Sequence, residues 1–246
     1  MNRLALFLTA AACAQDVRQI VNEAQKRGTV ATQRYEGLLE VVGSGGRVTT
    51  KRWRTIRLGS FGQAKVVIRF TAPPEVKGVA LMVVNHPDRS ADQWMWTPAT
   101  GRERRIALQD RSTRFFGTDF SFEDLEERDV EQYDYRLLGS EPAAGVDCWK
   151  IESRPRQTKK SQYTRSVTWL RKTDYVAARV EFFSRDQLVR RAEYSQIENI
   201  QGIWTPRRIE MTDLGRNSRT VLQFEKMVFN TPIPEDEFTL QALKRE

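Results

Sequence analysis

Two periodicities divide the chain. Between residues 16 and 26, apolar side chains fall at Val17, Ile20, Val21 and Ala24, the i, i+3, i+4, i+7 spacing of one helix face. Asp16 stands where an N-cap belongs and Gly28 where the helix would stop, so an amphipathic helix is expected, lying on something apolar. From Tyr35 onward the period becomes two. Strands are predicted at 35–42, 48–58, 64–70, 78–84, 93–97 and 103–108, then at 133–138, 146–153, 164–171, 177–184, 188–197, 204–212 and 220–229. Gly43-Ser44-Gly45-Gly46 and Arg185-Asp186-Gln187 read as hairpin turns. Lys51, Trp53, Thr55 and Arg57 alternate with Arg52, Arg54, Ile56 and Leu58, whereas 180–183 and 221–224 carry apolar side chains on both faces. This fits a sheet with one wet face and a few central strands covered on both. Strand signals recurring at roughly ten-residue intervals, with turns between them, point to one large antiparallel sheet or barrel in a single domain.

Residues 94–125 break the alternation. Trp94-Met95-Trp96 stops at Thr97-Pro98, and Phe115, Phe116, Phe120, Phe122 and Leu125 surround Gly117-Thr118-Asp119. Each buried Phe contributes about 1.5–3 kcal/mol, so such a segment is not left facing water. Either it plugs the protein's own core or it lines and covers a cavity for an apolar ligand. Trp94, Trp96, Phe115, Phe116, Phe120, Phe122 and Leu125 are therefore the candidate lining or lid residues. Ser121, with Asp124 three positions on, forms an approximate capping box for a short helix reaching Asp129. The acidic cluster there then needs no catalytic explanation, because carboxylates are favoured in a first helical turn.

Forty basic against thirty-two acidic residues leave a net charge of +8, which suits an anionic membrane surface approached through a basic sheet face. Nucleic acid is a poorer partner. The densest basic loop, 154–160, has no aromatic residue on which a base could stack. The N-terminus reads as an export signal: Arg3, an apolar run from Leu4 to Ala11, and Ala12-Cys13-Ala14 as a cleavage site. Cleavage after Ala14 leaves Cys148 unpaired. The less favoured reading makes Cys13 a lipid-bearing cysteine, but Ala10 stands three residues before it where Leu is usual. Both readings place residues 15–246 outside the cytoplasm, in the periplasm, without a disulfide.

Catalytic machinery is sparse. The single histidine, His86, precedes a proline in a polar turn, and Cys148 sits mid-strand where a thiol is buried and inert. No metal cluster, nucleophile elbow or phosphate loop is present in the sequence. Asp119, Glu123 and Asp124 could form an acid/base pair or a calcium site, but their spacing does not match an EF-hand loop. Neither an enzymatic activity nor a cofactor is expected.

Three stretches together resemble the outer-membrane lipoprotein-sorting (LolA-like) proteins. They are residues 69–81 (RFTAPPEVKGVAL), 93–99 (QWMWTPA) followed by Arg102, Arg104, Arg105 and Ile106, and 114–125 (RFFGTDFSFEDL), the most specific of the three. The tail 234–239 (PEDEFT) is also similar to the way these chains close. The likeness runs from about residue 16 to the end and lies with the broad, uncharacterised part of the family. It implies an α+β fold: a large curved antiparallel sheet, an incomplete β-barrel, with helices covering its concave side. It also implies acyl chains of lipoproteins or lipids held between sheet and helices, handed on by an inner-membrane transporter or to an outer-membrane acceptor. No lid-closing arginine of the carriers can be matched to a position here.

Three functions follow as alternatives. A carrier of acylated ligands needs a hollow. An envelope sensor or adaptor module binding a protein partner needs only a packed interior. An enzyme on an anionic envelope substrate needs His86 or the 119–129 carboxylates gathered in a cleft.

Overall fold

The computed structural model describes residues 16–245; the expected leader, with Cys13, lies outside the described residues. Every predicted strand is present. In chain order they are β1 (Thr32–Val42), β2 (Val48–Leu58), β3 (Lys65–Ala72), β4 (Ala80–Val84), β5 (Asp92–Thr97), β6 (Arg102–Arg105), β7 (Tyr133–Ser140), β8 (Cys148–Pro155), β9 (Arg165–Arg171), β10 (Ala177–Ser184), β11 (Gln187–Ile200), β12 (Ile203–Asp213) and β13 (Ser218–Phe229). They form one antiparallel sheet of 13 strands in the order β6-β5-β4-β3-β2-β1-β13-β12-β11-β10-β9-β8-β7.

This order is two meanders joined back to back. β1 to β6 step outward to one edge, β7 to β13 step inward from the other, and the last strand zips onto the first from Gln33↔Phe229 to Val42↔Arg219. The seam carries a bulge between Glu36 and Gly37. A side chain at Gly37 would run into the carbonyl oxygen of Gln223, so only glycine lets the two backbones approach this closely. β6 and β7 are the free edges, so the curved sheet is an unclosed barrel. They are also consecutive in sequence, and residues 106–132 between them cross the concave face. β6 ends three residues earlier than predicted because Ile106 turns inward, donates its amide to Gln93 O at 2.9 Å and is 2 % exposed.

The helix α1 (Val17–Arg27) forms as the pattern requires, with Asp16 accepting from the amide of Arg18 and Gly28 at the C-cap. Its Ile20 and Val21 pack on Trp149, Ile151 and Leu170, covering the concave side over β7–β9. A one-turn helix α2 (Leu240–Leu243) lies on the opposite face, where Leu243, Phe238 and Ile233 cover Val67, Ala80 and Met82. Arg69 fixes it there, donating from Nη2 to the carbonyls of Ala242 and Leu243 at 3.2 and 2.9 Å. Those are the carbonyls a helix C-terminus leaves without internal partners.

The short helix expected from Ser121 to Asp129 does not form. The capping-box bonds do: Ser121 N and Oγ both donate to Asp124 Oδ2 at 2.7 Å, and Asp124 N returns to Ser121 Oγ at 3.3 Å. Only a single 3-10 turn, Glu123–Leu125, follows. Beyond it the carboxylates have partners on the sheet, and reaching them extends the chain.

Candidate functional site

The crossing segment fills one half of the concave side and leaves the other half open. In the filled half, Phe115 stacks on Phe70 with centroids 5.4 Å apart, and Phe116 and Phe122 meet it edge-on at 5.4 and 5.7 Å. Trp53, Val66, Leu81 and Ile106 complete this core.

A row of carboxylates fastens the segment to the sheet. Asp119 accepts from Ser218 Oγ and Thr220 Oγ1 at 2.5 and 2.7 Å and pairs with Arg114 at 2.7 Å. Glu123 accepts from Ser161 Oγ and from the amide of Gln162, and burial pushes its carboxyl above the usual range. Asp124 takes the Tyr163 hydroxyl at 2.7 Å and Arg190 at 2.8 Å; burial, with that carboxylate beside it, holds the Tyr163 hydroxyl protonated. Glu126 accepts from Gln93 Nε2, Arg111 Nη1 and Lys159 Nζ at 3.0, 2.7 and 2.5 Å. Glu127 takes Arg57 at 2.5 Å and the amide of Phe61, and Asp129 takes the amide of Gly62. A buried charge persists only when paired and hydrogen-bonded, so these carboxylates are spent on holding the segment in place. Lys159, part of the basic loop in the sequence, is buried for the same reason.

In the open half lie two chambers. The larger, about 490 Å³, runs between the crossing segment and the inner face of β11–β13, lined among others by Phe120, Phe182, Ile209, Met211, Phe224 and Trp204. The smaller, about 360 Å³, lies under α1, between Val21, Ala24, Ile151, Leu170 and Val180. Both volumes fall within the about 300–1,000 Å³ of small-molecule pockets. The chambers share Phe61, Arg128, Phe182, Tyr194 and Pro206, so they are two lobes of one hollow with Arg128 at the waist. The Arg128 guanidinium lies 4.4 Å from the centre of the Tyr133 ring, and its Nη2 donates to Ser153 Oγ and Ser166 Oγ, both at 3.0 Å.

The seven predicted residues are thus divided. Phe120 lines the larger lobe. Phe115, Phe116 and Phe122 form the aromatic core beside it, and Leu125 bridges that core to the cluster containing Phe120. Trp94 and Trp96 sit on the other face of β5, packed with α2. Sequence reasoning missed Arg128, Tyr133, Tyr194, Val180 and Phe182. The doubly apolar run at 180–183 was the available signal, and it marks a strand whose inner face lines the hollow.

The other candidates for chemistry lie apart. His86 Nε2 is 3.0 Å from Asp92 Oδ2, in a cluster with Arg89 and Arg105 at the β4–β6 edge. Hydrogen bonds from Arg89, then Arg105 and His86, hold the Asp92 carboxyl well below the usual carboxylate range. Cys148 is free and fully buried, and burial pushes its thiol up.

Comparison with known proteins agrees with this architecture. A family model described as "-like: Uncharacterized protein" matches residues 62–245, and the chain belongs to that family. No curated protein matches it. Among solved structures it is similar to a DUF1329 family protein from Desulfovibrio piger, with a TM-score of 0.88 and 28% identity over 92% of this chain and 97% of that one. It is equally similar to a putative outer membrane lipoprotein-sorting protein domain from Vibrio parahaemolyticus, with a TM-score of 0.88 and 27% identity over 93% of this chain and 98% of that one. A LolA superfamily protein from Nitrosomonas europaea shares the fold, with a TM-score of 0.71 and 19% identity over 90% and 98% of the two chains. The likeness to the lipoprotein-sorting (LolA-like) proteins read in the sequence therefore holds in three dimensions, and the incomplete barrel is the fold they share.

Proposed function

We propose that the protein is a non-enzymatic carrier or binder of acylated ligands, lipid or lipoprotein, in the bacterial cell envelope. The observation that carries this reading is the two-lobed hollow enclosed by the sheet, the crossing segment and α1. The similarity to a lipoprotein-sorting domain supports it, as does the consumption of the 119–129 carboxylates by structural partners, which leaves no acid/base pair free among them. An acyl chain entering the lobes gains roughly 0.8 kcal/mol per buried CH₂. Release to an inner-membrane transporter or outer-membrane acceptor then needs a wall that gives way. α1 suits that role. Outside its apolar stripe it is tied to the neighbouring 130–131 segment by Arg18 donating to Val130 O at 3.1 Å, the Val130 amide donating to Gln25 Oε1 at 2.9 Å and an Arg18–Glu131 pair. Elements held by few contacts are the ones that open. Arg54, exposed on the outer face of β2 and making no ion pair among the described residues, suits approach to an anionic bilayer.

Trp204 lines the larger lobe and provides the test. The chain lacking residues 1–14 is titrated with brominated fatty acid while tryptophan fluorescence is followed, and native protein is extracted with organic solvent. Expected are quenching that Trp204→Phe largely removes, a co-purified lipid, and weaker binding by Ala24→Phe, which fills the smaller lobe. Absence of both quenching and extracted lipid sinks the proposal.

A further inference from the structure

Resting on that reading, we infer that the hollow takes an anionic amphiphile whose oxyanion sits at Arg128, at the waist between the two lobes. The carboxylates near Arg128 are hydrogen-bonded or paired elsewhere: Glu123, within its electrostatic reach, by Ser161 and the amide of Gln162, Glu126 by Arg111 and Lys159, Glu127 by Arg57, Asp129 by the amide of Gly62. Arg128 makes no ion pair among the described residues. Its Nη2 bonds two neutral serine hydroxyls, which also bond each other at 2.8 Å, and its Nε and Nη1 make no hydrogen bond among the described residues.

Around it stand Tyr133, Tyr135 and Tyr194, all within electrostatic reach of the guanidinium and all lining the hollow. None of their hydroxyls makes a hydrogen bond among the described residues. A fixed cation, three phenol groups and the Ser153 hydroxyl thus line one stretch of the hollow between apolar walls. That is the donor set for a carboxylate or a phosphate, not for a neutral ester.

The physical argument is one of desolvation. In the empty protein Arg128 lines the hollow and is exposed, so solvent there carries its charge. An acyl chain that fills the lobes expels this solvent. A neutral ligand would then strand the guanidinium in an apolar enclosure, a cost that an oxyanion at the waist removes. The ligand that fills the hollow best is therefore one that brings its own negative charge.

Isothermal titration of the chain lacking residues 1–14 tests this with palmitate, methyl palmitate, hexadecyl phosphate and inorganic phosphate. Palmitate is expected to bind at least about tenfold more tightly than its methyl ester, the size of one charge-assisted hydrogen bond. Arg128→Met should erase that preference and Arg128→Lys retain part of it. Hexadecyl phosphate binding as well as palmitate extends the site to oxyanions generally, and its exclusion narrows the site to carboxylates. Equal affinity for palmitate and its ester overturns the inference and leaves the carrier reading standing. Failure of all the chain-bearing probes to bind overturns both. Inorganic phosphate binding as tightly as hexadecyl phosphate would overturn the amphiphile assignment, because the chain would then contribute nothing. The comparison of ligands on the unmodified protein needs no variant, so a misfolded Arg128→Met does not remove the test.

Discussion

Glu126 and Lys159 meet at 2.5 Å with each side chain 3% exposed, at the point where the crossing segment is pinned to the loop between β8 and β9. Glu126 also holds Arg111 and Gln93, whereas Lys159 has Glu126 as its ion-pair partner among the described residues. The two halves of the pair are therefore not equivalent. Glu126→Ala strands two buried cations and should cost about 3–5 kcal/mol, the usual penalty for breaking a buried pair. Lys159→Met leaves Glu126 with two partners and should cost clearly less. Urea denaturation of both variants checks the order, and a Glu126→Ala protein as stable as Lys159→Met contradicts it.

At the seam, Gly37→Ala places a methyl group against the carbonyl oxygen of Gln223. The strands cannot separate locally without losing the ladder that joins the two meanders, so the variant should lose about 1–3 kcal/mol or more, as overpacked cores do. Hydrogen exchange should show the loss concentrated in β1 and β13. Protection there equal to that of the parent would mean the seam tolerates the methyl group.

Asp92 sets an acid-side limit. Its carboxyl titrates lower when folded than when unfolded, chiefly through the Arg89 hydrogen bond and then Arg105. A depressed folded value contributes stability that is present above the ordinary carboxylate pKa and is lost as pH falls toward the folded value. The parent should therefore weaken progressively below about pH 4, and Asp92→Asn should flatten part of that limb while lowering stability at neutral pH. Arg89 and Arg105 are well exposed, so salt should reduce the difference. Melting curves across pH 2–7, at low and high salt, measure it.

Cys148 is enclosed by Val167, Trp169 and Ala178, and burial raises its thiol pKa. In a chain carrying Cys13→Ser, Ellman's reagent should label Cys148 only as fast as the protein unfolds. Rapid labelling of the native protein would show that this side of β8 opens.

The strands were legible because alternation on a half-wet sheet is a local signal, and β2 shows it cleanly: Trp53, Thr55 and Arg57 inward, Arg52 and Arg54 outward. The division of labour within residues 94–125 was not legible. Trp94 and Trp96 are as apolar as Phe120, and which face of β5 meets the hollow is decided by the direction of sheet curvature and by α2, a four-residue helix too short to carry a pattern. The expected helix to Asp129 failed for a similar reason. Local capping chemistry formed as written, but distant partners, Arg57 on β2 and the amides of Phe61 and Gly62 in the turn after it, outweighed the weak preference for another helical turn. Arg128 was hidden in plain composition. It lies in a run of charges whose members look alike until the structure gives each of its neighbours a partner.

Because the final strand pairs with the first while the two outermost strands are consecutive, cutting the backbone within 106–132 would yield two pieces that each keep a complete meander. The seam and the carboxylate contacts would then be all that draws them together. Such halves, expressed separately, are natural candidates for fragment complementation. Their reassembly would report in one readout on both bonds that keep this barrel open on one side and whole on the other.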